Sequence, residues 1–419
     1  MKSDYTVLEQ EKLIGLLLGC LHLAAERVSA ADLTGLGEAE WEAFLALATE
    51  QRIRPLLYQR LNERGLDAVV PDRVMAALRA VYRQTALRTM RFQAELAALA
   101  QALAAQDVPL IALKGIWLAR AVYANPALRE MNDVDVLVHR EHLPAALDVL
   151  TQRGYTPSQE VDIEVDTATM HHLPRFLKAD VAGFEIHWSL CRLNRSYSIN
   201  TDELWERVVP AQIGRVSLLG LAPEDLLLHL CLHTSYQHQF VFGLRPSCDI
   251  AAVIERYGIA LDWAVVCERA RRWRWQRGVY LALRLAADLV GAAVPEDVMA
   301  ALQPVILDEA ILATARQQIF TQKAFSTQTT SRAIALRLQP GILPKLLYAR
   351  RQLFPPQAAL RLLYGRSAIP DWIPLYYATH IGKFIQRYSR TVWNTVTRDR
   401  STLELLERKN VVHEWLSDI

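Results

Sequence analysis

The chain has 419 residues, more than half of them apolar, which is ample for sizeable hydrophobic cores and predicts about two to four domains. A formal net charge of +2 says little about partners through its total, so any charge-driven binding must come from local distribution. The five cysteines, Cys20, Cys191, Cys231, Cys248 and Cys267, are odd in number and form no C-x-x-C pair. That excludes a zinc or disulfide framework and points to free thiols in a reducing cytoplasm.

The N-terminus, "MKSDYTVLEQEKL", sets acidic residues ahead of its first apolar run and makes a poor signal peptide. "LIGLLLGCLHLAA" is too short to span a bilayer and reads as a buried helix. A soluble, cytoplasmic protein without a transmembrane segment is expected. Residues 1–105 read as helices: leucines recur at helical spacing, Gly65 closes one segment, and Pro71-Asp72 opens a long Ala-rich helix to about Gln106.

The period changes at "VPLIALKG", residues 108–115, a short apolar run ended by glycine that reads as a buried strand. "IWLARAVYA" follows as a helix and "DVDVLV" as a second strand. "EHLPAALDVLTQRG" is a helix closed by Gly154. "HHLPRFLK", a turn through Ala179–Gly183, and "FEIHWSL" read as a hairpin. Strands alternating with helices predict a small α/β unit with a mixed sheet over 106–215, and an α+β class for the whole chain. Helices return from Pro223, giving a helical region at 216–305. "SCDIAAVIERYG" is amphipathic, with Asp249 as its expected N-cap and a substrate contact as the alternative. "AVVCERARRWRWQRGVYLALRLAADLVG" reads as one long helix. In a basic helical region at 306–419, Ile311 to Arg400 holds fourteen Lys or Arg against two Asp.

Side chains i and i+2 of a strand share a face. Asp133 and Asp135 therefore point together, away from Val134, Val136 and Val138. By the same alternation Glu185 and His187 share a face, opposite Phe184, Ile186 and Trp188. Carboxylates this close repel one another unless a cation lies between them. Oxygen ligands favour Mg²⁺ or Mn²⁺. If the two strands are neighbours, Glu185 becomes a third carboxylate, and three can hold two metal ions for phosphoryl or nucleotidyl transfer. The strand–glycine–helix junction at Lys114, Gly115 and Ile116 offers free N–H groups and a helix dipole suited to phosphate. Arg129 adds a charge for phosphate, or else balances Glu130 at the surface.

"LKGIWLARAVY", "LREMNDVDVLV", "LTQRGY", "FEIHWSL" and "LLHLCLH" together resemble the bacterial family of uncharacterised nucleotidyltransferases, within the DNA polymerase β-like superfamily. The resemblance implies a polymerase β-like nucleotidyltransferase core at 106–215, a substrate-binding helical domain at 216–305, and flanking helical regions. It implies that Asp133 and Asp135 hold both metals. Glu185 would hold the catalytic one and help deprotonate the acceptor, and His187 would lie at the nucleotide. The turn at Gly115 would hold the triphosphate. The superfamily has Gly-Ser or Gly-Gly at that turn, where this chain has Gly115-Ile116 preceded by Lys114. The implied activity moves an NMP from an NTP such as ATP to a hydroxyl or phosphate on a small molecule or modified peptide. Two alternatives stay open: a degenerate member that binds nucleotide or a protein partner, and transfer onto RNA.

His229 and His233, four apart on a helix, can bind zinc, or else lie in the core or line the cleft. His171 or His172 faces the cleft on the same reasoning. "RRWRWQRG", residues 271–278, stacks bases or, as an amphipathic helix, turns its tryptophans inward. The basic C-terminal stretch suits nucleic acid, an anionic membrane surface or an acidic partner, or pairs within the protein.

Overall fold

A computed structural model describes residues 7–24, 27–158, 161–179, 181, 183–191, 199–305 and 309–321, with short pieces between 343 and 382 and a last helix at 400–417. Nearly all of the basic stretch at 347–366 lies outside the described residues. The chain begins with helices α1 (Val7–Leu21), α2 (Ala30–Thr34), α3 (Glu38–Glu50), α4 (Arg54–Glu63) and α5 (Asp72–Ala104). Helix α5 follows Pro71 and runs for 33 residues. Its Phe92, Leu96, Leu99 and Leu103, three or four apart, form a buried stripe against the sheet and its neighbours.

The sheet interleaves with short helices: β1 (Ile111–Ala112), α6 (Lys114–Trp117), β2 (Asp133–Leu137), α7 (Leu143–Gln152), β3 (Thr156–Pro157), α8 (Ile163–Thr169), β4 (Phe176–Leu177), β5 (Gly183–His187), α9 (Asp202–Trp205), β6 (Val209–Ile213) and β7 (Val216–Gly220). Its seven strands run β3-β4-β5-β2-β1-β7-β6, with parallel and antiparallel pairs mixed. The β4–β5 hairpin is present, with Phe176 opposite Phe184. Strands β3, β6 and β7 are additional to those read from sequence. The key pairing is β2 with β5, parallel and in register, Asp133 opposite Gly183, Asp135 opposite Glu185 and Leu137 opposite His187.

Alternation then sorts the two faces. Val134, Val136, Phe184 and Ile186 are fully buried. The ring of Tyr155 packs edge-on against Phe184, and its hydroxyl donates to Glu95 of α5, so this face lies toward α5. At the sheet's other end a Cβ on Gly220 would collide with the Trp117 indole, so only glycine admits that ring against β7.

The later helices are α10 (Pro223–Leu232), α11 (Arg245–Tyr257), α12 (Trp263–Arg272), α13 (Gln276–Val290), α14 (Glu296–Leu302) and α15 (Glu309–Phe320). Two expectations are corrected here. The segment expected as one long helix is two, because the chain turns at Trp273–Trp275 with Arg274 at φ +60°. Helix α11 starts at Arg245 with Pro246 in its first turn, so Asp249 lies inside the helix and is not its N-cap. Trp273 and Trp275 are buried, as the amphipathic reading of 271–278 expects, while Arg271, Arg272 and Arg277 are bonded to Ala301, Glu203 and Trp415. All five cysteines are buried and free of disulfides. Among the described residues no helix is long and apolar enough to cross a membrane.

Candidate active site

Register places the carboxylates. With Asp135 opposite Glu185 on adjacent strands, both side chains rise from the same face of the sheet, and His187 rises two residues further along. Ligand atoms of Asp135, Glu185 and His187 all lie within 4.8 Å of one another. His187 Nε2 is 3.0 Å from Asp135 Oδ1 and 3.8 Å from Glu185 Oε2. Asp133 stands beside this trio but outside it, with Arg175 Nη1 3.8 Å from its carboxylate. Two oxygen donors and one imidazole nitrogen suit a hard to borderline divalent cation, Mn²⁺ and Mg²⁺ included.

Lys114 completes the cluster. Its ammonium donates to Asp135 Oδ1 at 2.7 Å, and the backbone N–H of Leu113 donates to the carbonyl of Asp135. The turn before α6 is thus tied to β2 by both side chain and main chain. Lys114 takes φ +46°, a left-handed conformation that strains a residue with a Cβ by about 1–2 kcal/mol. Such strain persists only where its surroundings enforce it, here the salt bridge and the short helix that follows. A Cβ at Gly115 would meet the guanidinium of Arg129, so a side chain there would have to displace that group.

The charges are unequal. Burial and the neighbouring Asp135 push Glu185 up to about 7. Burial and Asp135 also raise Asp133, against Arg175 and Lys114. Burial would raise Asp135 too, but Lys114 and His187 hold it well below the usual carboxylate range. Burial and Lys114 push His187 down to about 3, so its ring is neutral at physiological pH. Among the described residues Lys114 is the one cation hydrogen-bonded to the three carboxylates, with Arg175 3.8 Å from Asp133, so excess negative charge is concentrated on one sheet face.

Arg129 is not the surface arginine that balances Glu130. It is buried, and its Nε and Nη2 fork onto the carboxylate of Asp249, with Nη2 at 2.9 Å. Asp249 also accepts from the Tyr123 hydroxyl at 2.9 Å. Glu130 pairs with Arg54 instead, at 3.3 Å. His229 is buried in α10, with His233 at its end. Their rings are 6.5 Å apart, and no described group of three ligands includes either. Burial and then Lys114 lower His229, and burial, His238 and then Lys114 lower His233. His171 and His172 bring their rings within 5.5 and 5.1 Å of His187.

One participant has no sequence signal, and another has a partner other than the one its sequence suggests. Arg175, between β3 and β4, donates to the Asn132 carbonyl, and its guanidinium lies over Gly183, where a Cβ would collide. Asp249 looked like a cap because Ser-Cys-Asp precedes an apolar run; Pro246 was the overlooked signal that the helix begins earlier.

Residues 37–291, well over half of the chain, match the family described as uncharacterised nucleotidyltransferase. The chain belongs to that family. No curated protein matches the sequence.

Proposed function

From this membership, we propose that the protein is a polymerase β-like enzyme that transfers an NMP from an NTP to an acceptor hydroxyl or phosphate, with Mg²⁺ or Mn²⁺. The observation that carries the reading is the convergence of Asp135, Glu185 and His187 beside the Lys114 turn. Asp135 and Glu185, with His187 and the adjacent Asp133, would hold the cation. A bound divalent cation supplies Lewis-acid polarisation of the phosphoryl oxygens. Lys114, the Gly115–Ile116 backbone and Arg129 would orient the triphosphate and neutralise part of its charge.

The acceptor oxygen attacks the α-phosphorus in line. A new O–P bond forms, the bond from the α-phosphorus to the bridging oxygen breaks, and pyrophosphate leaves. Glu185, whose proton affinity lies near neutrality, takes the acceptor proton. The low position of His187 keeps it a neutral donor or ligand and not a competing acid. A small molecule or modified peptide is the acceptor that we favour.

The test is incubation of the full-length protein with each α-labelled NTP and Mg²⁺ or Mn²⁺, reading pyrophosphate release and label transfer to protein or an acceptor panel. Release that disappears in Asp135→Asn supports the reading. An NTP that binds with no release under any acceptor sinks it.

A further inference from the structure

Beside the Lys114 turn, positive charge accumulates in a way that the pairs described so far do not absorb. Arg129 and Arg245 both direct Nη1 onto one acceptor, the carbonyl of Glu130, at 3.3 and 3.1 Å. Two guanidinium groups bonded to the same oxygen are close neighbours, and like charges this close repel. Arg129 has Asp249 as a partner, and Arg54 has Glu130. Arg245 has no carboxylate partner among the described residues, and its Nε is buried without a hydrogen-bond acceptor. Burial and the nearby Arg129 push Arg245 down to about 9, which marks an arginine whose charge lacks compensation. Asp249, already forked by Arg129, and the more weakly felt Asp133 offset this only in part, and Arg52 adds to it.

The setting adds to this. Arg245 is the first residue of α11, a 13-residue helix whose N-cap, Leu244, offers no capping side chain. The positive end of the helix dipole therefore falls in the same place. Arg129 lies against Gly115, and both Arg129 and Arg245 are within electrostatic reach of Asp133. The cluster thus adjoins the phosphate turn, where Ile116 stands in place of a hydroxyl or a second glycine.

We propose that Arg245, together with Arg129, forms an anion subsite that grips the β- and γ-phosphates of the nucleotide, the part that leaves as pyrophosphate. This rests on the nucleotidyl-transfer reading and deepens it. A guanidinium with its Nε and remaining Nη uncommitted matches the paired oxygens of a polyphosphate. An anion there relieves the repulsion between the two arginines and supplies the acceptor that Arg245 lacks. The grip that the turn lost in side chains is provided by arginines from the helical region.

The experiment uses inorganic tripolyphosphate as the probe on the full-length protein, by isothermal titration calorimetry, with AMP in parallel. Arg245→Gln keeps a polar side chain and removes the charge. It should weaken tripolyphosphate binding about tenfold or more, since one charge-assisted contact is lost. Arg245→Lys should recover most of the affinity, AMP should bind all forms alike, and Arg256→Gln, exposed on the same helix, should match the unaltered protein. Labelling of the unaltered protein with phenylglyoxal, mapped by mass spectrometry, gives a measurement that needs no variant: tripolyphosphate should protect Arg245 and leave Arg256 unaffected. Equal binding by Arg245→Gln, no binding to the unaltered protein, or labelling indifferent to the probe overturns the subsite. Arg245-dependent binding in a protein that releases no pyrophosphate from any NTP would keep the subsite and end the transfer reading. Intact transfer with Arg245→Gln unaffected would do the reverse.

Discussion

Two aspartates of this molecule are almost equally buried and live in opposite electrostatic company. Asp225, in the first turn of α10, is 1% exposed and receives Arg269 Nη1 at 2.6 Å and Arg207 Nε at 3.1 Å. Asp135 is 6% exposed and shares its surroundings with Asp133 and Glu185, and among the described residues its carboxylate is bonded to Lys114 and the neutral His187. At Asp225 the cations outnumber the carboxylate. At Asp135 the carboxylates outnumber the cations. Paired burial is what a structural ion network looks like, because a lone buried charge would forfeit several kcal/mol of hydration. An uncompensated cluster is tolerated where a ligand supplies the missing charge.

Exchanging the two residues' fates breaks the comparison most sharply. Asp135→Asn removes a cation ligand and should lower nucleotidyl transfer on the order of 10³-fold, as expected when transition-state charge loses a metal contact. Thermal stability should fall only modestly, because losing the Lys114 pair is partly offset by relief of the repulsion with Asp133 and Glu185. Asp225→Asn should do the opposite. It leaves Arg269 and Arg207 buried without a counter-charge and should cost about 3–5 kcal/mol of stability. Transfer per folded molecule should stay unchanged. Denaturant melts and a transfer assay on both variants decide the matter. Loss of activity in Asp225→Asn at unchanged fold, or a severe melt in Asp135→Asn, would erase the distinction.

The Asp135 side of this contrast is legible in the sequence, and the Asp225 side is not. Period-two alternation alone put Asp133 with Asp135 and Glu185 with His187, since a strand leaves no other choice of face. The pairing of β2 with β5 was a conditional guess, because fifty residues of sequence separate them and nothing local sets their register. The same distance hid the arginines. Arg129 meets Asp249 across 120 positions, and Arg175 reaches Asp133 across 42, so no spacing rule could pair them. Helix starts misled at Asp249 because a capping-type triplet was weighed above a proline three residues earlier. Strand β6 alternates half-buried and exposed residues, and β7 mixes exposed, half-buried and buried ones, too weak a pattern to stand out beside the fully buried runs.

A third prediction uses the proton that the crowded cluster retains. Glu185 lies at about 7 in the cation-free protein, against an ordinary value of 4.5. Below pH 7 a cation must therefore displace this proton, and above it none is held. Mn²⁺ affinity should rise about tenfold per pH unit on the acid side of 7 and level off on the alkaline side. The same raised value means that the folded, cation-free chain binds more protons than the unfolded one between 4.5 and 7. This group's contribution to stability is thus present below 4.5 and is lost as pH rises through 7, and Mn²⁺ should restore it. Calorimetric titrations across that window check the slope, and Glu185→Gln should flatten it. An affinity that ignores pH on the acid side would mean that Glu185 carries no such proton.

The smallest effect lies at the rim of the Asp225 network. Glu203 accepts from Arg272 Nη2 at 2.6 Å and lies 3.9 Å from Arg207 Nη1, but Arg272 is nearly half exposed. Solvent and salt screen such a pair, and fixing two long side chains offsets part of the attraction. Glu203→Gln should therefore cost less than about 1 kcal/mol, a fraction of the Asp225→Asn effect, even though both residues contact Arg207. The cost should fall little with added salt for Asp225→Asn and vanish for Glu203→Gln, because only the buried contact is protected from ions. Equal costs for the two substitutions would show that Arg207, and not the burial of Asp225, sets the strength of the network. The contrast drawn with Asp135 would then rest on the number of arginines alone.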